Sequence, residues 1–201
     1  MGKIFWFDCE TTGLNPKRNA IIEMGVLIEI DGKIERTWGS RVRPFEEDAV
    51  DPSSIKVHGY DVKEMKEFPE PGEVMKRLQS MMGEFVDKYD KNDKFVVAGY
   101  CVRFDVDFLR MFFEKLNDKY YGSWFFSVSY DVSCLVAENV FENGLRANDF
   151  TLKTMCDMFG IELKVHNAFA DIQATRELSF ELKKRLERRV RDVGIQGNLA
   201  N

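Results

Sequence analysis

The chain has 201 residues, 44% of them hydrophobic and 13% aromatic, which is enough for a sizeable core. Its net charge of −5 argues against broad, non-specific nucleic-acid binding through a basic surface. No apolar run approaches the roughly 20 residues that a membrane span needs. No signal peptide is evident before the first apolar run, and the four cysteines (Cys9, Cys101, Cys134, Cys156) form no Cys-x-x-Cys pair. Reduced thiols, a cytoplasmic location and no membrane contact are therefore expected.

Ile4 to Phe7 is a short, aromatic-rich apolar run and reads as a buried strand. A second strand follows over residues 20–30, with Glu23 embedded in it. Asp31-Gly32 is a two-residue hairpin signal, so a third strand over residues 33–42 should run antiparallel to the second. Residues 44–54 read as an irregular acidic connection, and 61–67 as a short helix. Pro71 suits the first turn of a helix whose apolar face (Val74, Leu78, Met81, Met82, Phe85) carries it to about Tyr89.

Residues 94–100 form another apolar strand, followed by a helix with Phe108, Leu109, Phe112, Phe113 and Leu116 on its core side. Residues 124–130 read as a further strand with Asp131 at its end, then a helix that Asn143-Gly144 breaks. A short helix spans 151–159, with Asp149 or Thr151 as cap and Gly160 as stop. The last helix runs from about 167 to 191, with Leu178, Leu182, Leu186 and Val190 at a four-residue step. Between Arg176 and Asp192 it carries seven Lys/Arg against four Asp/Glu, and a solvated helix face is the plain account of that excess. Antiparallel strands first, then strands alternating with helices, imply an α/β domain with a mixed sheet covered by helices. Residues 1–193 read as one domain, and 194–201 as a small, polar tail that frays.

The chemistry is concentrated at the end of the first strand. Side chains alternate along a strand, so Asp8 and Glu10 share one face while Phe7 and Cys9 share the other. Two carboxylates side by side repel each other, and a hard divalent cation relieves that repulsion. A solvated strand end is the plainer alternative. Asp105, in the first turn of a helix, and Asp171, five residues after His166, are the further acidic positions within reach. Alone, each is a favourable helix-dipole partner.

Together they form a pattern. Asp8-Cys9-Glu10-Thr11-Thr12-Gly13-Leu14, Phe104-Asp105-Val106-Asp107-Phe108-Leu109 and His166-Asn167-Ala168-Phe169-Ala170-Asp171 occur in that order. This resembles the three-motif signature of the DEDDh, or DnaQ-like, 3′–5′ exonucleases, over about residues 4–182. Asn167 stands where relatives of another subgroup carry tyrosine. The resemblance implies a ribonuclease-H-like fold, a mixed sheet of three antiparallel strands then parallel ones, flanked by helices. It implies Asp8, Glu10, Asp105 and Asp171 as ligands of two divalent metal ions, Mg²⁺ or Mn²⁺, and His166 as general base. Two such ions would activate a water and stabilise the departing 3′ oxygen, and a histidine can take the water's proton at neutral pH.

Thr11, Thr12, Leu14, His58 and Phe104 are the implied substrate contacts, Leu14 as a wedge against the last base. Core packing is the alternative for Leu14 and Phe104, and an ordinary loop role for His58. One departure concerns Tyr100-Cys101, where many members have His-Asn, since Cys101 lacks an amide's hydrogen bonds.

The expected activity is release of nucleoside 5′-monophosphates from 3′ ends of single-stranded nucleic acid. DNA is slightly favoured, because the Thr-Thr-Gly-Leu form resembles the proofreading subunits. RNA trimming of the RNase T or oligoribonuclease kind is the alternative, and a catalytically silent binding domain the second. Homodimers and polymerase-bound subunits both occur in the family, so either association is open. A nucleotide-sensing protein would call for a glycine-rich phosphate loop, which the sequence lacks.

Overall fold

The computed structural model describes residues 2–143, 146–163 and 167–192, with side chains up to residue 188 (Asn143 excepted). Among these, β1 (Lys3–Thr11), β2 (Ile21–Ile30), β3 (Lys33–Arg41), β4 (Phe95–Gly99) and β5 (Phe125–Asp131) form one mixed sheet in the order β3-β2-β1-β4-β5. The first three strands are antiparallel, and β4 and β5 run parallel to β1. Asp31 and Gly32 both have positive φ (49° and 86°), as the tight turn between twisted strands requires. The expected ribonuclease-H-like architecture is thus present.

The alternation along β1 divides the core in two. Phe5, Phe7 and Cys9 pack with Leu78 and Met82 of α3 (Pro71–Met82) and with Phe108 and Phe113 of α4 (Arg103–Lys115). Trp6 points to the other layer, where it meets α6 (Val132–Asn143), α7 (Leu152–Phe159) and α8 (Ala168–Asp192) through Val136, Met155, Ile172 and Leu178. Glu29 of β2 is only 4% exposed, and two partners satisfy it: Trp6 Nε1–H donates at 3.0 Å and Arg176 Nε–H at 2.6 Å. A buried charge needs such pairing, and here it fixes α8 across the sheet. Asp8 and Glu10 therefore lie on the α8 side of β1.

Three elements depart from the sequence expectation. The connection read as irregular to residue 54 already contains a helix, α1 (Pro52–His58), with Pro52 in its first turn and Gly59 closing it in the left-handed region. The next helix, α2 (Val62–Lys66), has the expected place, and Asp61 caps it by accepting from the N–H groups of Lys63 and Glu64. The following helix, α3, stops at Met82 rather than Tyr89. Gly83 ends it, while Phe85 and Val86 reach the same core from tighter turns, so their spacing imitates a continuing helix. A single turn, α5 (Tyr121–Trp124), precedes β5. Thr151 caps α7 and Gly160 closes it, as expected. Leu178 and Leu182 of α8 are buried, while the Val190 side chain, His166, Gly144 and the tail from 194 lie outside the description.

Candidate active site

The site begins where β1 leaves the sheet. The β1–β2 ladder slips register between Glu10 and Thr11, which frees the strand to turn away just after the second carboxylate. Asp171 arrives from the first turn of α8, where Asn167 Oδ1 accepts from the Ala170 N–H at 2.8 Å and caps the helix. Carboxylate oxygens of Asp8, Glu10 and Asp171 lie within 4.8 Å of one another, all three side chains being partly exposed. Asp105 comes from the opposite layer, at the start of α4. It is buried, and its Oδ1 accepts from the Cys9 N–H (3.1 Å) and from Cys9 Sγ (3.3 Å). Of the four expected carboxylates, three form the close cluster and the fourth meets the strand from behind.

Burial and like charge push these acids up. Asp8 is raised well above the ordinary carboxylate range by burial, then by Asp105, Asp171 and Glu10. Burial first, then Asp171 and Glu23, raise Glu10 to about 7. Burial also raises Asp105 to about 7, against the lowering pull of the Cys9 hydrogen bonds. A cluster of hard oxygen donors that resists its own ionisation is suited to a divalent cation, which supplies the missing positive charge.

Beside the carboxylates opens a cavity of about 370 Å³, lined among others by Glu10, Thr11, Leu14, Val57, His58 and Phe104. Leu14 and Val57 are 83% and 72% exposed there. His58 Nδ1 accepts from the Tyr60 N–H at 3.0 Å, so Nε2 carries the proton of the neutral ring. That Nε2 is enclosed and has no hydrogen-bond partner among the described residues. Burial pushes His58 down, Glu23 opposing.

Four of the five expected substrate contacts thus line one cavity; Thr12 does not. It is fully buried, its hydroxyl donates to the Ala49 carbonyl (2.7 Å) and accepts from the Ala20 N–H (2.9 Å), and its own N–H is spent on the Ala20 carbonyl. Thr12 is the bolt of the loop that presents Leu14. A larger cavity, about 750 Å³, lies between the 43–50 connection and α2–α3, has mixed charge and shares no residue with the cluster.

Val57 and Glu23 were not among the expected site residues. Val57 sits on the helix that the sequence concealed. Glu23 is directly opposite Glu10, and Tyr60 Oη donates to it at 2.6 Å; a charge embedded in an apolar strand was its visible signal. At the departure from the common His-Asn, Tyr100 Oη donates to the Phe150 carbonyl (2.6 Å), while Cys101 has positive φ (53°) and donates its N–H to Asp131 Oδ1 (3.0 Å). His166 lies outside the described residues.

The profile of the RNase T family, described as Exonuclease, matches residues 5–178. The chain belongs to the RNase T exonuclease family. The family is one of exonucleases, and the ribonuclease-H-like fold described above is shared with the solved structures below. It is 26% identical over 181 residues to the PolC-type DNA polymerase III of Oceanobacillus iheyensis, covering 90% of this chain but 11% of that protein. Among solved structures, E. coli exonuclease I in complex with a dT13 oligonucleotide is similar at a TM-score of 0.74 and 20% identity, covering 96% of this chain and 43% of that one. A product-bound structure of exonuclease I is similar at 0.76 and 19%, covering 94% and 45%. The chain thus spans less than half the length of each of these proteins, and the structural likeness is one of fold.

Proposed function

We propose that residues 1–193 form one exonuclease domain that removes nucleoside 5′-monophosphates stepwise from the 3′ end of a single strand, DNA slightly preferred to RNA. The observation that carries this is the placing of the Asp8–Glu10–Asp171 cluster beside the cavity of Leu14, Val57, His58 and Phe104. Asp8, Glu10 and Asp171 would hold divalent ions, Mg²⁺ or Mn²⁺, with Asp105 acting on the same site through Asp8. When bound, two such ions supply a more acidic water and charge neutralisation on the departing oxygen.

The chain's own residues do the rest. Leu14 and Val57 are exposed and apolar, suited to gripping the faces of a terminal base. Phe104 extends the apolar wall, with its ring centroid 4.8 Å from that of Phe108. His58 offers an enclosed Nε2–H to an oxygen of the terminal nucleotide. Asp105, held by the Cys9 backbone, fixes the height of β1 against α4. His166, by the resemblance of its motif to that of the DEDDh exonucleases, is the proposed base that takes the proton from the attacking water. DNA is preferred because the similar exonuclease I structure holds a dT13 oligonucleotide and the curated relative is a DNA polymerase. The latter also makes association with a polymerase the partner to test first.

The test uses 5′-labelled single-stranded DNA and RNA oligomers with Mg²⁺, Mn²⁺ or EDTA, comparing wild type with Asp8→Ala and His166→Ala. A ladder shortening from the 3′ end, lost in EDTA and in both variants, is the expected result, faster on DNA. Faster cutting of RNA would move the chain to the RNA-trimming branch. Intact oligomers with folded wild-type protein would overturn the catalytic reading in favour of a silent binding domain.

A further inference from the structure

Gly25 lies in the middle of β2, directly opposite Asp8 on β1 and Gly39 on β3. A Cβ built on Gly25 would stand 2.4 Å from the Ala168 carbonyl oxygen, 2.5 Å from its carbon and 2.7 Å from the Phe169 nitrogen. All three atoms are backbone, in the first turn of α8, so no rotamer change can relieve the contact. Asp171 is one helical turn further on, and its N–H donates to the Asn167 carbonyl at 3.0 Å within the same turn. The next turn is anchored independently, with Ile172 fully buried among the residues packed on Trp6 and Leu27.

We infer that Gly25 is a positioning residue for the metal site: the missing side chain lets the first turn of α8 rest on β2 and so sets the distance between Asp171 and Asp8. This rests on the assignment of those two carboxylates as metal ligands. Any side chain at position 25 must lift the helix start, because β2 is held between β1 and β3. The lift displaces the first turn of α8, which carries Asp171, relative to Asp8 on β1. Real Cβ contacts seldom fall below 3.0–3.4 Å, so the Ala168 carbonyl must recede. A displacement of about 1 Å at a reacting centre costs on the order of 10²-fold in rate.

The test is Gly25→Ala, with Gly39→Ala as control, whose added Cβ meets only the Met24 carbonyl at 3.4 Å. Mn²⁺ binding is titrated by electron paramagnetic resonance with the metal alone, and the Mn²⁺ concentration for half-maximal nuclease rate is measured beside it. Gly25→Ala is expected to raise both by tenfold or more and to lower kcat on the order of 10²-fold, with the oligonucleotide KM nearly unchanged and Gly39→Ala like wild type. Mere loss of folded protein lowers kcat and binding stoichiometry but leaves the half-saturating metal concentration where it was. If Gly25→Ala does not fold, Asn167→Ala decides, since it loosens the same turn by removing its cap. A folded Gly25→Ala, or failing that Asn167→Ala, with wild-type Mn²⁺ affinity overturns the inference. A wild-type protein that binds no Mn²⁺ overturns the metal-site assignment instead.

Discussion

Glu10 and Glu23 face each other directly across the β1–β2 ladder, a placement that is unfavourable for like charges. The Tyr60 hydroxyl, donating to Glu23 at 2.6 Å, eases it only on one side. Glu10 is pushed from 4.5 to about 7, and Asp105 from 3.8 to about 7, so ionising either one costs the fold. For carboxyls raised in the folded state, the penalty is absent below the unfolded value and complete above the folded one. Metal-free protein should therefore lose stability as pH rises from 6.5 to 8, on the order of 1 kcal/mol for each of the two groups. His58, pushed down by burial, opposes this trend at the low end of the window, where the unfolded histidine, near 6.5, is still losing its proton. Urea unfolding in EDTA at the two pH values measures the loss, and saturating Mg²⁺ should abolish or reverse it. Equal stability at both values in EDTA would mean that the carboxylates do not repel as their placement implies.

The same repulsion gives Asp8→Asn an unusual signature. It removes the charge at the centre of the cluster, where burial and four acids (Asp105, Asp171, Glu10 and Glu23) oppose ionisation. Nuclease activity should vanish, yet the metal-free Tm at pH 8 should exceed that of wild type, each kcal/mol being worth roughly 2–4 °C at this size. In Mg²⁺ the order should invert, because only wild type gains from the ion. A variant that is less stable than wild type in EDTA would show Asp8 to be held by favourable contacts rather than strained.

Thr12 joins three segments through its hydroxyl, N–H and carbonyl: the Ala20 strand start, the Ala49 connection and the N–H of Asp51. Behind it, Lys115 of α4 donates to the Asn19 carbonyl at 2.8 Å and pairs with the buried Asp48. Thr12→Val keeps the shape but leaves the buried Ala20 N–H without its partner, at about 1–3 kcal/mol, while the Ala49 carbonyl keeps the Asn19 amide at 3.0 Å. Denaturant unfolding should register a loss of roughly 1–3 kcal/mol on that basis. Thr11→Val, whose hydroxyl meets only the nearby Gly13 carbonyl, should cost much less.

Much of this was legible in the sequence, for physical reasons. The period-two alternation in Ile4–Glu10 showed which face carries the carboxylates, and Asp31-Gly32 set the hairpin. What escaped depended on tertiary context. α1 begins at a proline inside a polar stretch and buries no residue fully, so no apolar period betrays it. Thr12 and Thr11 are identical in sequence, and only the register slip after Glu10 turns one inward. The Tyr100-Cys101 departure also resolves in three dimensions. The position of Cys101 requires positive φ, which asparagine tolerates better than most residues, and the Asp131 carboxylate holds the backbone there instead. Gly25 could be seen as a glycine interrupting a strand, a pattern that often marks close backbone approach, but the partner was not visible.

Leu14 separates stability from substrate grip. At 83% exposure it adds little to the fold, and its loop is fixed by Thr12 and Asn19 rather than by its own packing. Leu14→Ala should change unfolding free energy within about 0.5 kcal/mol, as surface substitutions do. If the side chain grips a terminal base, truncation removes apolar contact worth about 1–2.5 kcal/mol, up to three carbons at about 0.8 kcal/mol each. The oligonucleotide KM should then rise by roughly 5- to 70-fold, with Mn²⁺ affinity unchanged because no carboxylate moves. Val57→Ala, on the other exposed wall of the cavity, should behave alike, and the double variant should lose less than the sum, since one base contacts both. Steady-state kinetics on a single-stranded oligomer separate the cases: unchanged KM in both variants would show that the strand end is held elsewhere.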